Sequence, residues 1–311
     1  MTTKRLLILS CLFLALLFIV HDIHIGSNKT GQTIELTKAF FQGDIPTGPL
    51  GETLKNCIIG EKKLDLWKNF SAITESCIAR HSKLTESNFF QLNMGRFGES
   101  KFFLPMAEEF RGNNSSACYW LTIGIGGDTE VEKEMINVYP QCKIFGIEPS
   151  PEQAADFEKY GTVIPLAVGI KPGNLMMRLR QNTGMRYKNK QVPVTPMHQV
   201  LDEYIGSRLV HFATLDIEGF EYKILDSLKH GKPIESTGVR FCQIDVELHS
   251  DGYQLQNMGP DFKFPHYWRK FLANSSYIPI KAGKFLTHRK VTMINVDDPV
   301  CLRLFKFEQY F

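Results

Sequence analysis

The sequence has no Cys-x-x-Cys pair and no His-x-x-x-His spacing, so the local ligand patterns that hold zinc are missing. It also lacks a marked charge excess: 36 Lys and Arg against 33 Asp and Glu leave a formal charge of +3. No basic cluster is interleaved with aromatics, and nucleic acid is not an expected partner. There is no internal repeat, which sets repeat architectures aside. Long apolar runs are scarce too. The one that stands out, Leu6 to Val20, follows Lys4 and Arg5 and carries no charge.

That run is short for a spanning helix, which usually needs ~20 apolar residues, yet long enough for a secretory signal. No small-x-small cleavage site follows between Val20 and Gly26. The expectation is a signal anchor at 6–25 with residues 1–5 in the cytosol and the body in the lumen, that is, a single-pass type II protein of the ER or Golgi membrane. A cleaved signal peptide and secretion are the alternative.

Two features agree with a luminal body. Asn28, Asn69, Asn113, Asn114 and Asn274 all head glycosylation-type triplets. Outside the apolar run, which contains Cys11, the cysteines are Cys57, Cys77, Cys118, Cys142, Cys242 and Cys301, an even set compatible with up to three disulfides. Cys118 and Cys142 stand equally far before Gly124 and Glu148, so two strands ending level would put them side by side, and this pairing is expected. Residues 26–90 read as a stem or N-terminal cap. Within it, Leu54 to Leu66 and Phe70 to Arg80 suit short amphipathic helices pinned by Cys57 and Cys77.

The richest segment is Cys118-Tyr-Trp-Leu-Thr-Ile-Gly-Ile-Gly-Gly-Asp128, followed by Lys143-Ile-Phe-Gly-Ile-Glu148-Pro-Ser. An apolar strand entering a turn with Gly124, Gly126 and Gly127 lets a ligand approach the backbone, and Asp128 can cap the helix that follows. Glu148 ends the next strand, where a carboxylate accepts hydrogen bonds from both ribose hydroxyls. A plain strand-to-helix connection is the bland alternative for the glycines. The strands read at 161–168, 209–217 and 239–248, with Tyr277–Ile280, Val291–Val296 and Leu302–Phe307 as closing strands and helices at Phe220–Leu228 and Phe262–Ala273. This pattern predicts an α/β fold, a mostly parallel sheet with helices on both faces and an antiparallel C-terminal edge, its site beyond the strand carboxyl ends.

Val210-His-Phe-Ala-Thr-Leu-Asp216-Ile-Glu218-Gly-Phe-Glu221-Tyr-Lys-Ile-Leu225 resembles the signature of the FkbM-type methyltransferases, also called methyltransferase family 21. Phe145-Gly-Ile-Glu148-Pro-Ser-Pro, Pro165-Leu-Ala-Val-Gly169, Val192 to Glu203 and Gln243-Ile-Asp-Val-Glu247-Leu-His249 resemble further segments of that family, in order, over about residues 118–250. The resemblance implies a class I, Rossmann-like methyltransferase domain at 91–311 that uses S-adenosylmethionine to methylate a hydroxyl. A luminal body then suggests a glycan, glycoconjugate or small-molecule acceptor. The family usually carries an acid two residues before the first glycine; here that place is Thr122, with Asp128 or Glu130 as the nearest replacement.

Gly124, Gly126, Gly127 and Glu148 are assigned to the cofactor. Asp216 is placed near cofactor and substrate, with Glu247 or His249 as general base, because Asp245, Glu247 and His249 share one face of a strand. Glu218, Glu221 and Trp268 are assigned to the acceptor, Trp268 as a ring that could stack on a sugar. The alternatives are helix capping or pairing with Lys223 and Arg240 for Glu218 and Glu221, a surface place for His249, and simple packing for the tryptophans. No metal is assigned; the alternative is a divalent ion on Asp216, Asp245 and Glu247 that orients a diol. Two rival functions remain. Thr122 favours an inactive luminal relative acting as a scaffold. The glycine turn would also suit a dinucleotide-dependent oxidoreductase, although Pro279 spoils the one Tyr-x-x-x-Lys spacing, Tyr277 to Lys281.

Overall fold

A computed structural model of the protein describes residues 50–61, 66–94, 98–111, 117–181 and 186–311. The apolar run at 6–20, the proposed anchor, Asn28, Asn113 and Asn114 lie outside the described residues. Among the described residues no helix is long and apolar enough to cross a membrane.

In chain order the main elements are helices α1 (Glu52–Gly60) and α2 (Leu66–His81), strand β1 (Cys118–Ile123), helix α3 (Glu130–Val138), strands β2 (Cys142–Ile147), β3 (Thr162–Ile164) and β4 (Leu209–Leu215), helix α4 (Glu221–Ser227), strand β5 (Arg240–Leu248), helices α5 (Asp251–Met258) and α6 (Phe264–Ala273), strands β6 (Tyr277–Phe285) and β7 (His288–Asn295), and helix α7 (Pro299–Phe305). They build a seven-stranded sheet in the order β6-β7-β5-β4-β1-β2-β3. The five strands from β5 to β3 are parallel, and β7 runs antiparallel between β5 and β6. The strand order reverses beside β1: the chain goes from β1 out to β3 and then returns to β4 on β1's other side. Ligands of open α/β sheets bind beyond the carboxyl ends at such a switch point.

The pairing lines up residues in rows. Thr122 stands opposite Thr214, Thr214 opposite Asp245, and Asp245 opposite Thr292. Two positions further toward the parallel carboxyl ends come Glu247 and Lys290, which pair, and Gly124 and Asp216, each the first residue past its strand. Side chains alternate along a strand, so Asp245 and Glu247 of β5 and Thr292 and Lys290 of β7 belong to one face, and that face carries charge at its open end.

Two aromatic clusters hold the body. Phe212 of β4 meets Phe90, Phe103, Tyr139 and Phe305 at centroid distances of 5.3–5.8 Å. Trp268 of α6 meets Phe70, Phe264 and Phe271 at 5.2–6.0 Å. Helices α1 and α2, joined by the Cys57–Cys77 disulfide, bury Leu54, Ile58, Phe70 and Ile73 in the same core as the sheet. The predicted cap helices are therefore integral to the fold. Cys118 and Cys142 are opposite each other on β1 and β2 with Cα atoms 4.4 Å apart and are bonded, as expected, and Cys242 is bonded to Cys301.

Two sequence expectations change here. Leu302–Phe307 belongs to no closing strand; α7 covers it as far as Phe305. Pro299 suits the first turn, and the Asp298 side chain accepts from the N–H groups of Val300 and Cys301, so a cap with proline started a helix where apolar residues alone suggested a strand. The strand expected over 161–168 is two pieces. β3 ends at Ile164, and Ala167–Gly169 instead joins a second sheet with Gly173–Gln181 and Arg186–Pro196.

Candidate active site

A cavity of about 330 Å³ opens beyond the carboxyl ends of β1, β2, β4 and β5. Its wall has three chemically different regions. The first is Gly126 with Glu148, Gln153 and Val168. The second is Asp216, Glu218, Glu247, His249, Tyr253 and His288. The third lies deep, with Glu99, Lys101, Thr122 and Glu132.

In the first region, Gly124 has φ +90°, and a Cβ there would lie 2.0 Å from the Asp216 carbonyl oxygen. This glycine lets β1 and β4 finish side by side, and Asp216 N–H donates to the Ile123 carbonyl at 3.0 Å. Gly126 differs. At φ +68° it has nothing within 4 Å of where a Cβ would stand, which leaves space for a ligand beside it, while its N–H donates to Glu148 Oε2 at 3.4 Å. Gly127 turns away and donates to the Gln153 carbonyl at 2.8 Å. The buried Glu148 carboxylate accepts from the Ser150 N–H at 2.9 Å.

The second region centres on His249. Its ring Nδ1 lies 2.5 Å from Glu221 Oε1, and its backbone N–H donates to the same oxygen at 3.0 Å. Glu221 Oε2 accepts from Gly219 N–H at 2.8 Å. The His249 carbonyl accepts from the Tyr222 hydroxyl and from Gln254. Nε2 thus points to Asp216 and Glu218, each at 3.7 Å, and to Glu247 at 4.0 Å. Burial would depress the imidazole, but the charges of Glu221, Asp216 and Glu247 overcome it and raise it to about 10. Burial, then the Asp216 charge, pushes Glu247 up to about 8, against the pull of Lys290.

Glu218 sits in the turn after β4 at φ +55°, a strained conformation for a residue with a side chain. β4 ends at Leu215, so Asp216 and Glu218 meet His249 through this turn and not along one strand face. The turn is fixed because a Cβ on Gly219 would lie 2.7 Å from Tyr253 and Asn257 atoms.

Several assignments are corrected. Glu221 is fully buried, and its carboxylate is occupied by His249 and Gly219; it positions His249 and does not meet an acceptor. Trp268 is fully buried between Phe70 and Phe271, since an amphipathic helix turned its ring into the core and away from the cleft. Asp245 is buried beside Lys290 at 3.2 Å and Lys101 at 3.8 Å, so it is neutralised in place and unavailable for a metal with Asp216 and Glu247. Arg240 pairs with Asp298 at 3.0 Å, not with either acid after β4.

Among the described residues, Glu247, His249 and His288 bring metal-type donor atoms within 4.8 Å of one another. However, Ser250 N–H donates to His288 Nδ1 at 3.1 Å. Burial, then the His249 charge, lowers His288 to about 4, so the ring is neutral, and the Ser250 contact at Nδ1 puts its proton on Nε2, the nitrogen 4.0 Å from Glu247.

The third region was not legible in the sequence. Thr122 Oγ1 donates to Glu132 Oε1 and accepts from Trp120 Nε1–H at 2.8 Å. Glu132, in the first turn of α3, is buried, and burial raises it to about 6. It occupies the place expected for Asp128 or Glu130, but Asp128 caps the Glu130 N–H and Glu130 pairs with Lys133 outside. Lys101 bonds Glu99 at 2.8 Å, and Lys290 pairs with the same Glu99. The cavity is also lined by Met176, Met177, Leu179 and Tyr187 of the second sheet, by Phe285 at the end of β6 and by Leu286 after it.

A glycine turn open to a ligand, a carboxylate at the tip of β2, and an acid–histidine group at the tips of β4 and β5, on a sheet of this order, define a class I Rossmann-like methyltransferase. Residues 85–279, more than half of the chain, match the Methyltransferase FkbM domain, and the protein belongs to that family of S-adenosylmethionine-dependent methyltransferases. No curated protein matches the chain. Similar solved structures include a human methyltransferase 10 domain containing protein, with 11% identity, TM-score 0.29, and coverage of 61% of this chain and 79% of that one. A fibrillarin pre-rRNA processing protein of Methanococcus jannaschii shows 7% identity, TM-score 0.32, and coverage of 70% and 89%. The N-terminal domain of human METTL16 in complex with SAH shows 9% identity, TM-score 0.29, and coverage of 59% and 63%. Likeness at this level carries no weight for the acceptor.

Proposed function

We propose that this protein methylates a hydroxyl oxygen of a glycan, glycoconjugate or small molecule within the secretory lumen. The observation that carries the reading is His249, fixed on Glu221 with Nε2 turned to Asp216 and Glu247 inside the cleft. The six cysteines outside the apolar run, all bonded in pairs, favour an oxidising compartment, and the charged residues ahead of that run favour a type II anchor.

Glu148 and the open space beside Gly126 fit the adenosyl part of S-adenosylmethionine. That cofactor supplies an electrophilic methyl carbon and a positive charge when bound. The chain must then align an acceptor oxygen, take its proton and keep water out. Against a positive charge in the cleft, His249 releases its proton more readily, which leaves Nε2 free to accept one from the hydroxyl. Glu221 holds the ring through Nδ1 and stabilises the imidazolium that results. Asp216 and Glu218 receive the acceptor's other hydroxyls. Met176, Met177, Leu179 and Leu286 exclude water, and Tyr253, whose ring lies 4.8 Å from that of His249, offers the aromatic face first assigned to Trp268.

The test is calorimetry of S-adenosylhomocysteine binding to the full chain from a secretory host, with Glu148→Ala alongside, followed by a labelled-methyl screen of glycans and small hydroxyl compounds. Micromolar binding lost in the variant and label on oxygen support the reading. A folded protein that binds nothing points to the inactive scaffold.

A further inference from the structure

The deep region of the cleft has a use that the glycine turn and the His249 group leave open. A sulfonium carries three substituents. In S-adenosylmethionine these are an adenosyl group, the methyl group and an aminobutyrate chain ending in an α-ammonium and an α-carboxylate. The first region, with Glu148 and Gly126, suits the adenosyl group, and the second, with His249, must receive the methyl group's acceptor. The third is left for the amino-acid chain.

Its chemistry is complementary. Glu132 is a buried acid lining the cavity, next to the buried cation Lys101. The acid is aimed by a relay in which Trp120 Nε1–H donates to Thr122 Oγ1 and Thr122 donates to Glu132 Oε1. The burial of this carboxylate is only partly offset by its hydrogen bonds from Thr122, Trp120 and the backbone and by the Lys101 charge, so the ionised acid remains disfavoured without a ligand. An ammonium group restores what burial removed. The neighbouring charges, Lys101 and Lys290 with Glu99 and Asp245, are largely satisfied among themselves.

We propose that Glu132, oriented by Thr122, binds the α-ammonium group of the cofactor, so that the acid absent from position 122 is supplied from helix α3. This rests on the cofactor reading above. Thr122 is thereby a positioning residue.

Two probes separate this role from a merely structural one. S-adenosylhomocysteine has the aminobutyrate chain; 5′-methylthioadenosine lacks it. In calorimetry on the full chain, Glu132→Gln, which can still accept from Thr122, should weaken S-adenosylhomocysteine roughly 10- to 100-fold, the range for losing a charged hydrogen bond, and leave methylthioadenosine unchanged. Thr122→Val should show the same selectivity at smaller size, and Thr122→Asp added to Glu132→Gln should recover part of the affinity. Equal weakening of both probes, or of neither, overturns the proposal while the cofactor reading stands. If the unaltered protein binds neither probe, both fall.

Discussion

One carboxylate oxygen of Glu221 serves His249 twice, meeting ring Nδ1 at 2.5 Å and the backbone N–H at 3.0 Å. The ring is therefore set by the same atom that sets the chain carrying it. β5 ends at Leu248, so this contact, with the Tyr222 and Gln254 bonds to the His249 carbonyl, holds the residue that follows the strand. Glu221 starts α4 just after the strained turn at Glu218, and that turn is what brings the first residue of a helix after β4 beneath the end of β5.

Glu221→Gln should lower kcat by roughly 10²- to 10³-fold, within the range for general-base catalysis, with little change in cofactor affinity. The imidazole should titrate well below its present value of about 10. Because that value is raised above 6.5, the pair contributes stability that is fully present below about pH 6.5 and is lost as pH rises through 10. The variant should thus be less stable at neutral pH and approach the parent above pH 10. NMR titration of His249 and thermal melts across that range are the checks.

Gly124→Ala and Gly126→Ala should fail differently. At Gly124 a Cβ meets the Asp216 carbonyl at 2.0 Å, so β1 and β4 must separate, and the loss of stability should be about 2–4 kcal/mol. At Gly126 the space is open and only the positive φ opposes alanine, about 1 kcal/mol. Cofactor affinity should nevertheless drop in the second variant, because its Cβ stands where the ligand approaches. Urea melts and calorimetry on both proteins separate the two effects; equal destabilisation would count against this distinction.

What could be read from the sequence is what depends on local pattern. Apolar strands ending in Gly124, Glu148, Asp216 and Glu247 give parallel strands with their functional ends together, whatever surrounds them. The equal spacing of Cys118 and Cys142 from those ends was enough to pair them. Glu132 was different. An acid in the first turn of a helix is ordinarily a solvated partner of the helix dipole, and it is buried here because the hairpin Phe90–Asn93 and Ser100–Phe103 closes over α3, with Asn93 N–H donating to Glu134. Lys290 was missed for a similar reason: a lysine alternating on an edge-side strand reads as exposed, and only the pairing of β7 between β5 and β6 puts it against Asp245. Trp268 misled in the opposite direction, since its polar neighbours His266 and Arg269 suggested a surface.

Trp268→Ala should therefore act on stability and not on the acceptor. Removing a fully buried tryptophan should cost about 3–5 kcal/mol, with the acceptor KM unchanged at temperatures where the variant is folded. Trp268→Phe should cost less, about 1.5 kcal/mol or below, because the ring contacts with Phe70 and Phe271 persist and the indole N–H has no hydrogen-bond partner to lose. A raised acceptor KM in the folded alanine variant would restore the sugar-stacking role.

Glu132→Gln should improve the empty protein while harming the loaded one. Burial raises the Glu132 carboxyl from 4.5 to about 6, the direction in which the folded state binds its proton more tightly than the unfolded state does. Its contribution is accordingly favourable below about pH 4.5 and is lost as pH rises through 6, so at neutral pH the ionised side chain opposes folding by up to about 2 kcal/mol. Glutamine has no charge to bury. The variant should melt at a higher temperature than the parent at pH 7.5, and the two should converge toward pH 4.5. In the parent, S-adenosylhomocysteine affinity should also fall as pH drops through about 6, while methylthioadenosine affinity follows no such trend. A variant less stable than the parent at pH 7.5 would mean that Glu132 is satisfied within the fold, and the reason for an ammonium group beside it would be gone.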